Sequence, residues 1–148
     1  MSHDTLQRLD HLLKAARIRE EQKRQEELLA QQALLRRNEE MLTFFRSELL
    51  PFAEEIVSRL RAAEIPSLLY FNTREPKYSI KLEIHPIKQG TKCSGFMEFS
   101  YSIQRDTLQG YFDHKGGAAR SVQVDGARDL KEQFGNIVLL FLEEALNS

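Results

Sequence analysis

Aliphatic residues recur at seven-residue intervals through the first half of this chain, and this repeat constrains the fold more than any other feature. The residues that share the spacing are Leu28, Leu35, Leu42, Leu49 and Ile56. Such spacing is typical of the seam of a coiled coil. The helix-favouring segment runs from about Thr5 to about Ala63, and as one unbroken helix it would measure roughly 90 Å. The remaining residues form a body with a radius of gyration of ~12 Å, so the sequence predicts that a second chain covers part of the helix.

The predicted seam is polar at one end and aromatic at the other. With the repeat at heptad position a, position d is occupied by Gln31, Asn38, Phe45, Phe52 and Arg59. A polar seam residue fixes the register of pairing at a cost in stability, and this is the role predicted for Gln31 and Asn38. From Met41 onward the apolar face widens, as in a helix packed on a globular core.

These patterns predict a coiled-coil arm of residues 1–40 and an α+β domain of residues 41–148. A separate apolar stripe precedes the heptads, formed by Leu6, Leu9, Leu13 and Ala16. The residues predicted to mediate oligomerisation are Leu6, Leu9, Leu13, Leu28, Gln31, Leu35, Asn38 and Leu42. Because Pro51 cannot donate the helical hydrogen bond to Ser47, we expect a kink or a break near it.

After Pro66 the apolar period changes from that of a helix to that of a strand. Residues 77–85 alternate, with Tyr78, Ile80, Leu82 and Ile84 on one face, and the run from Met97 to Ile103 repeats the pattern. Shorter strands are predicted at 68–71, 107–114 and 119–124. The predicted turns are Gln89-Gly90-Thr91 and Lys115-Gly116-Gly117.

A final helix is predicted after Asp125, which is available as its cap, with apolar residues from Leu130 to Ala145. The predicted fold class is therefore α+β. It comprises a long N-terminal helix, an antiparallel sheet of three to five strands with one exposed face, and a C-terminal helix packed on the other face.

Composition excludes several classes of protein. Of the 148 residues, 41% are hydrophobic and 29% charged, and the formal net charge is −1, so no global field attracts nucleic acid or anionic lipid. The densest apolar run, Ile137 to Leu142, is far shorter than the ~20 residues that cross a bilayer. The N-terminal residues lack a secretory h-region. With Cys93 as the one cysteine, we expect a cytoplasmic protein without membrane association.

The residues with catalytic potential do not form a recognisable set. None of the four histidines has a second one at the i, i+3 or i, i+4 spacing that two metal ligands on a helix need. Phosphate-loop and dinucleotide motifs are missing. Cys93 is best explained as an inert thiol, and Asp113-His114 as turn chemistry rather than an acid–base pair. We therefore predict a non-enzyme with no cofactor and no metal.

One cationic group in the sheet region is a candidate binding surface for an acidic partner. Its members are Arg74, Lys77, Lys81, Lys88 and Lys92. The simpler interpretation is a charged sheet edge that prevents aggregation. Base stacking on an open sheet requires outward aromatic residues, and the alternation leaves only Phe96 and one of Tyr111 or Phe112 as candidates.

The favoured hypothesis is a self-associating protein-interaction module that forms a homodimer or higher oligomer through its N-terminal helix and holds another protein on its α+β domain. The first alternative is a nucleic-acid-associated regulator that uses basic residues of the paired arms. Interleaved glutamates disfavour it, because they repel phosphate. The second alternative is a small-molecule binder or enzyme with a pocket between sheet and helices.

Overall fold

A computed structural model describes residues 2–85, 94–114 and 119–147. Its contacts divide the chain into two compact units, Met1–Arg37 and Asn38–Ser148. The division predicted at residue 40 stays a prediction, because compactness alone does not show that either part folds by itself. Cys93 and the predicted turns at 89–91 and 115–117 lie outside the described residues.

The N-terminal half is helical, with a short change of helix type before Pro51. Helix α1 spans Ser2–Phe44, a π-helical turn spans Phe45–Leu49, and helix α2 spans Leu50–Ala62. Pro51 therefore lies in the first turn of α2, where a missing N–H is tolerated.

The π turn explains how the helical backbone continues through Pro51. A break, one of the two outcomes predicted there, does not occur. The Leu50 N–H donates to the Phe45 carbonyl, five residues back rather than four. Ser47 Oγ also donates to the Thr43 carbonyl at 2.6 Å. The extra residue in this turn relieves the clash that a proline ring makes in a regular α-helix.

Helix α2 ends just before Ile65-Pro66, as the proline predicts. Glu64 adopts a left-handed conformation with φ of 63°. The Ile65 N–H donates to the Leu60 carbonyl at 2.8 Å, which is the six-to-one hydrogen bond of a Schellman cap. The chain then turns directly into the sheet.

Five antiparallel strands form one sheet in sequential order, so the prediction of a sheet of three to five strands is confirmed. The strands are β1 Ser67–Asn72, β2 Lys77–Ile84, β3 Gly95–Ser102, β4 Thr107–His114 and β5 Arg120–Gln123. In the register of β2 and β3, Ile80 pairs with Phe99 and Leu82 pairs with Met97. All four side chains are buried, as the predicted alternation requires.

Helix α3, Leu130–Leu146, packs on the same face of the sheet as α2. Phe134 lies at the centre of this layer, with its ring centroid 5.4 Å from that of Phe99 and 6.0 Å from that of Phe52. The cap is Asp129, which accepts from the backbone N–H groups of residues 131 and 132. Asp125, the predicted cap, instead accepts from the Ala127 N–H in the preceding turn. A cap at Asp125 would require the helix to begin at residue 126, and the helix begins four residues later, at Leu130.

Candidate functional site

The predicted seam leucines of the first unit lie on the surface of the single chain. Leu28 is 54% exposed and Leu35 is 62% exposed, and Leu6, Leu9 and Leu13 are also exposed to about half of their area or more. Gln31 is exposed as well. Isolated surface leucines are ordinary, but an extended row of them is typical of an interaction surface.

Exposed aliphatic residues of the first unit also lie away from the heptad a and d positions. Leu12 is 68% exposed and Leu29 is 64% exposed, and by the heptad register they occupy positions f and b, away from the pairing surface. These two residues have the same chemistry and similar exposure to the seam leucines. They are therefore suitable controls for the seam.

Asn38 and Leu42, the last two predicted seam residues, are less exposed than the leucines before them. Asn38 is 7% exposed, and its Oδ1 lies 2.9 Å from the Tyr101 hydroxyl on β3. Leu42 is half-buried. The hydrogen bond with Tyr101 explains the burial of Asn38 within one chain, without a second copy. The role of Asn38 in setting the register stays a prediction.

The open face of the sheet carries aromatic side chains on three of its strands, namely Tyr70, Phe96 and Tyr111. Tyr70 on β1 is directly opposite Lys81 on β2, and Phe96 on β3 packs against Tyr111 on β4 with ring centroids 5.6 Å apart. Lys81 Nζ lies 4.6 Å from the Phe96 centroid and 5.8 Å from the Tyr70 centroid. The lysine thus makes cation–π contacts with two of the rings.

Carboxylates neutralise the two predicted cationic residues that lie on this face. Lys81 Nζ is 3.2 Å from Glu83 Oε1, and Lys77 Nζ is 2.5 Å from Glu98 Oε1. Such partly exposed pairs contribute little to stability, but they cancel the local positive field that would attract phosphate. The face is therefore an aromatic and ion-paired surface rather than a basic one.

The remaining cationic candidates do not extend this surface in the described residues. Arg74 is exposed in the turn between β1 and β2, where its backbone N–H donates to Asn72 Oδ1 at 3.2 Å. Lys88 and Lys92 lie outside the described residues. Only Lys77 and Lys81 are brought onto the same face by the strand register.

The sequence interpretation missed Tyr70 and left Tyr111 undecided. Tyr111 faces outward, since Phe112 is fully buried. The register of β3 with β4 pairs Tyr111 with Glu98 and Phe112 with Met97. Paired residues lie on the same face of a sheet, so the outward position of Glu98 identifies Tyr111 as the outward residue. Tyr70 was missed because the short β1 segment has apolar residues on both faces.

Asp113 and His114, which are adjacent in the sequence, are separated by the sheet. Asp113 pairs with Phe96 on the open face, whereas His114 is buried on the inner side with its Nε2 3.4 Å from Glu144 Oε2 of α3. The Arg120 guanidinium bonds the other oxygen of the Glu144 carboxylate. This cluster joins α3 to the end of the sheet and holds His114 on the opposite side from Asp113.

Two classes of site are not found within the described ranges. No group of three or more histidine, cysteine, aspartate or glutamate side chains there is arranged to hold a metal ion. No helix there combines the length and apolarity that crossing a bilayer requires. Comparisons of the chain with protein-family models, with curated proteins and with solved structures found no match.

Proposed function

We propose that this chain is a non-enzymatic, self-associating protein-interaction module of the cytoplasm, which oligomerises through its N-terminal helix as a coiled coil. The observation that carries the proposal is the row of half-exposed to mostly exposed leucines at Leu28 and Leu35, preceded by Leu6, Leu9 and Leu13. Pairing two copies along this row removes apolar area from water, which stabilises association by about 25 cal/mol for each Å² covered.

The charged residues of the same helix stabilise it too weakly to keep it helical as a single unpacked helix, which favours pairing. Oppositely charged residues one turn apart, such as Glu20 with Arg24, contribute only about 0.2–0.5 kcal/mol each. That contribution favours a helical backbone but does not hold a long helix in water without packing. A second copy supplies the packing, and the domain that follows remains available to hold another protein.

The test compares two double substitutions in the full chain by sedimentation. Leu28→Lys with Leu35→Lys places charges in the seam, and it is expected to lower the mass of the oligomer. Leu12→Lys with Leu29→Lys adds the same charges at exposed aliphatic positions outside the seam. This matched control is expected to keep the mass of the unsubstituted chain.

Two results would contradict the proposal. A seam variant with unchanged mass would show that the leucine row is not the contact. Equal loss of mass in the seam variant and its control would show that added charge, rather than the seam, governs association.

A further inference from the structure

Strand β1 is an edge of the sheet, and alternate backbone groups along it point away from β2. The strand order places β1 first, with β2 as its sheet neighbour. The His85 N–H donates to the Pro66 carbonyl at 2.9 Å, which makes residues 66 and 85 a hydrogen-bonded pair. In an antiparallel ladder such pairs alternate. The N–H and C=O groups of Ser67, Leu69 and Phe71 therefore point toward the free edge.

The β1 edge has few of the features that usually prevent strands from pairing with other chains. Its sequence, SLLYFN, contains no charged residue, no proline and no glycine, and edges protected from pairing usually carry lysine, proline or a bulge. Leu68 is 42% exposed and Tyr70 is 48% exposed. Arg61 covers one outward carbonyl, that of Ser67, with its Nη2 at 2.9 Å. An uncharged strand whose outward Leu69 and Phe71 backbone groups have no partner among the described residues is suited to accept another strand.

The β1 edge is self-complementary about Leu69. An antiparallel β1 from a second copy, centred on Leu69, exchanges both backbone hydrogen bonds between the two Leu69 residues. The same two-fold arrangement places Leu68 of each copy directly opposite Tyr70 of the other. Both side chains are on the open face, so each exposed apolar residue covers the other.

A cleft beside the edge has matching charges under the same symmetry. It has a volume of about 360 Å³ and is lined by Glu54, Val57, Ser58, Arg61, Leu68 and Leu69. Arg61 lies at the start of β1 through its bonds to the Ser67 carbonyl. Glu54 lies two helical turns earlier, about 10 Å along α2. Antiparallel pairing of two copies brings the Arg61 end of one cleft toward the Glu54 end of the other.

We infer that β1 is a second self-association surface, at which two copies join their sheets edge to edge with a two-fold axis at Leu69. This second contact rests on the proposed self-association, because it requires a second copy of the chain. It involves residues of β1 and α2, which are not part of the N-terminal arm. The side chains that enter the cleft are those of the second copy's β1.

Two double substitutions in the full chain test the register of this pairing. Leu68→Lys with Tyr70→Lys places lysine opposite lysine across the two-fold axis, which separates the edges. Leu68→Lys with Tyr70→Glu places lysine opposite glutamate, which restores pairing only if residues 68 and 70 of different copies are opposed. Circular dichroism and thermal unfolding check that both variants are folded.

The measurement is hydrogen exchange of the Leu69 backbone amide, together with sedimentation. The Leu69 N–H is expected to exchange slowly in the unsubstituted chain and in the lysine–glutamate variant. In the lysine–lysine variant we expect exchange to be about tenfold faster or more. Equal exchange in all three proteins would overturn the inference, and so would fast exchange in both variants, which would show another register or a strand from a different protein.

The outcome is separable from that of the arm experiment. If the arm proposal fails, the seam variant keeps its mass while the Leu69 amide still distinguishes the two β1 variants. If the edge inference fails, the seam variant loses mass while the Leu69 amide exchanges equally in every protein.

Discussion

At the scale of single residues, the Tyr101 hydroxyl is a polar group in a mostly apolar layer. The ring is fully buried, and the hydroxyl lies 2.9 Å from Asn38 Oδ1 and 2.6 Å from Asp106 Oδ1. A hydroxyl carries one proton, so it donates to one of these oxygens at a time. The arrangement links helix α1, strand β3 and the turn that follows β3 through one side chain.

Removing this hydroxyl tests the role of Asn38 within the chain. Tyr101→Phe is expected to lower the free energy of unfolding by about 1–3 kcal/mol, because the buried Asn38 amide loses this partner. Tyr78→Phe is the control, since Tyr78 stacks on Tyr101 at 6.0 Å but is only half-buried, and its effect is expected to stay below about 0.5 kcal/mol. Urea unfolding of both variants measures the difference. Equal effects would show that the hydroxyl of Tyr101 has no special role.

Gly110 sets how closely α3 approaches β4. A Cβ at this position would lie 2.6 Å from Ile137 Cδ1, the movable end of that side chain, so Gly110→Ala is expected to destabilise the chain by about 0.5–1.5 kcal/mol, the cost of shifting Ile137 from its rotamer. Ile137→Val removes the obstructing methyl and should recover part of that loss in the double variant. Gly126→Ala, where the nearest neighbour is 3.9 Å away, is the near-neutral control. Thermal unfolding of the four variants completes the comparison, and strictly additive effects would contradict the contact.

At the scale of elements, the π turn explains why a proline is compatible with a long helical segment. The turn places the Leu50 N–H on the Phe45 carbonyl, and Pro51 follows where its missing N–H costs little. A proline inside a regular α-helix would instead cost about 3 kcal/mol or more.

Pro51→Ala separates these two situations. With the π turn in place, the substitution is expected to change the free energy of unfolding by less than about 1 kcal/mol. Chemical denaturation is the measurement, and a stabilisation near 3 kcal/mol would mean that the proline strains a regular helix. Ser47→Ala, which removes the hydroxyl bond to the Thr43 carbonyl, is a useful companion because it changes the same turn without changing the proline.

The elements were largely predictable, and their ends were not. Alternation identified β2 and β3 because one face of each strand is buried and the other is in water. The type of turn before Pro51 was not predictable. The position of a proline shows which helical hydrogen bond is lost, but it does not show which backbone conformation accommodates the loss. The cap of α3 was assigned to Asp125 rather than Asp129 because both are aspartates near the helix start, and the choice depends on where the turn closes.

At the scale of the whole molecule, the exposure of the heptad leucines was easier to predict than the surface of the sheet, and their role in a seam stays a prediction. A heptad repeat is a long pattern, and the exposure of Leu28 and Leu35 agrees with a surface left uncovered by the chain itself. The grouping of Tyr70, Phe96 and Tyr111 on one face of the sheet depends on which strands are neighbours. Short strands do not reveal that from local periodicity.

Solution mass as a function of concentration tests the central claim most directly. We predict that sedimentation of the unsubstituted chain shows two or more copies per particle, and that dilution reduces both the mass and the helical signal, because helices of this composition need packing. A particle that stays single-copy at high concentration, with its first residues still helical, would contradict the proposed function.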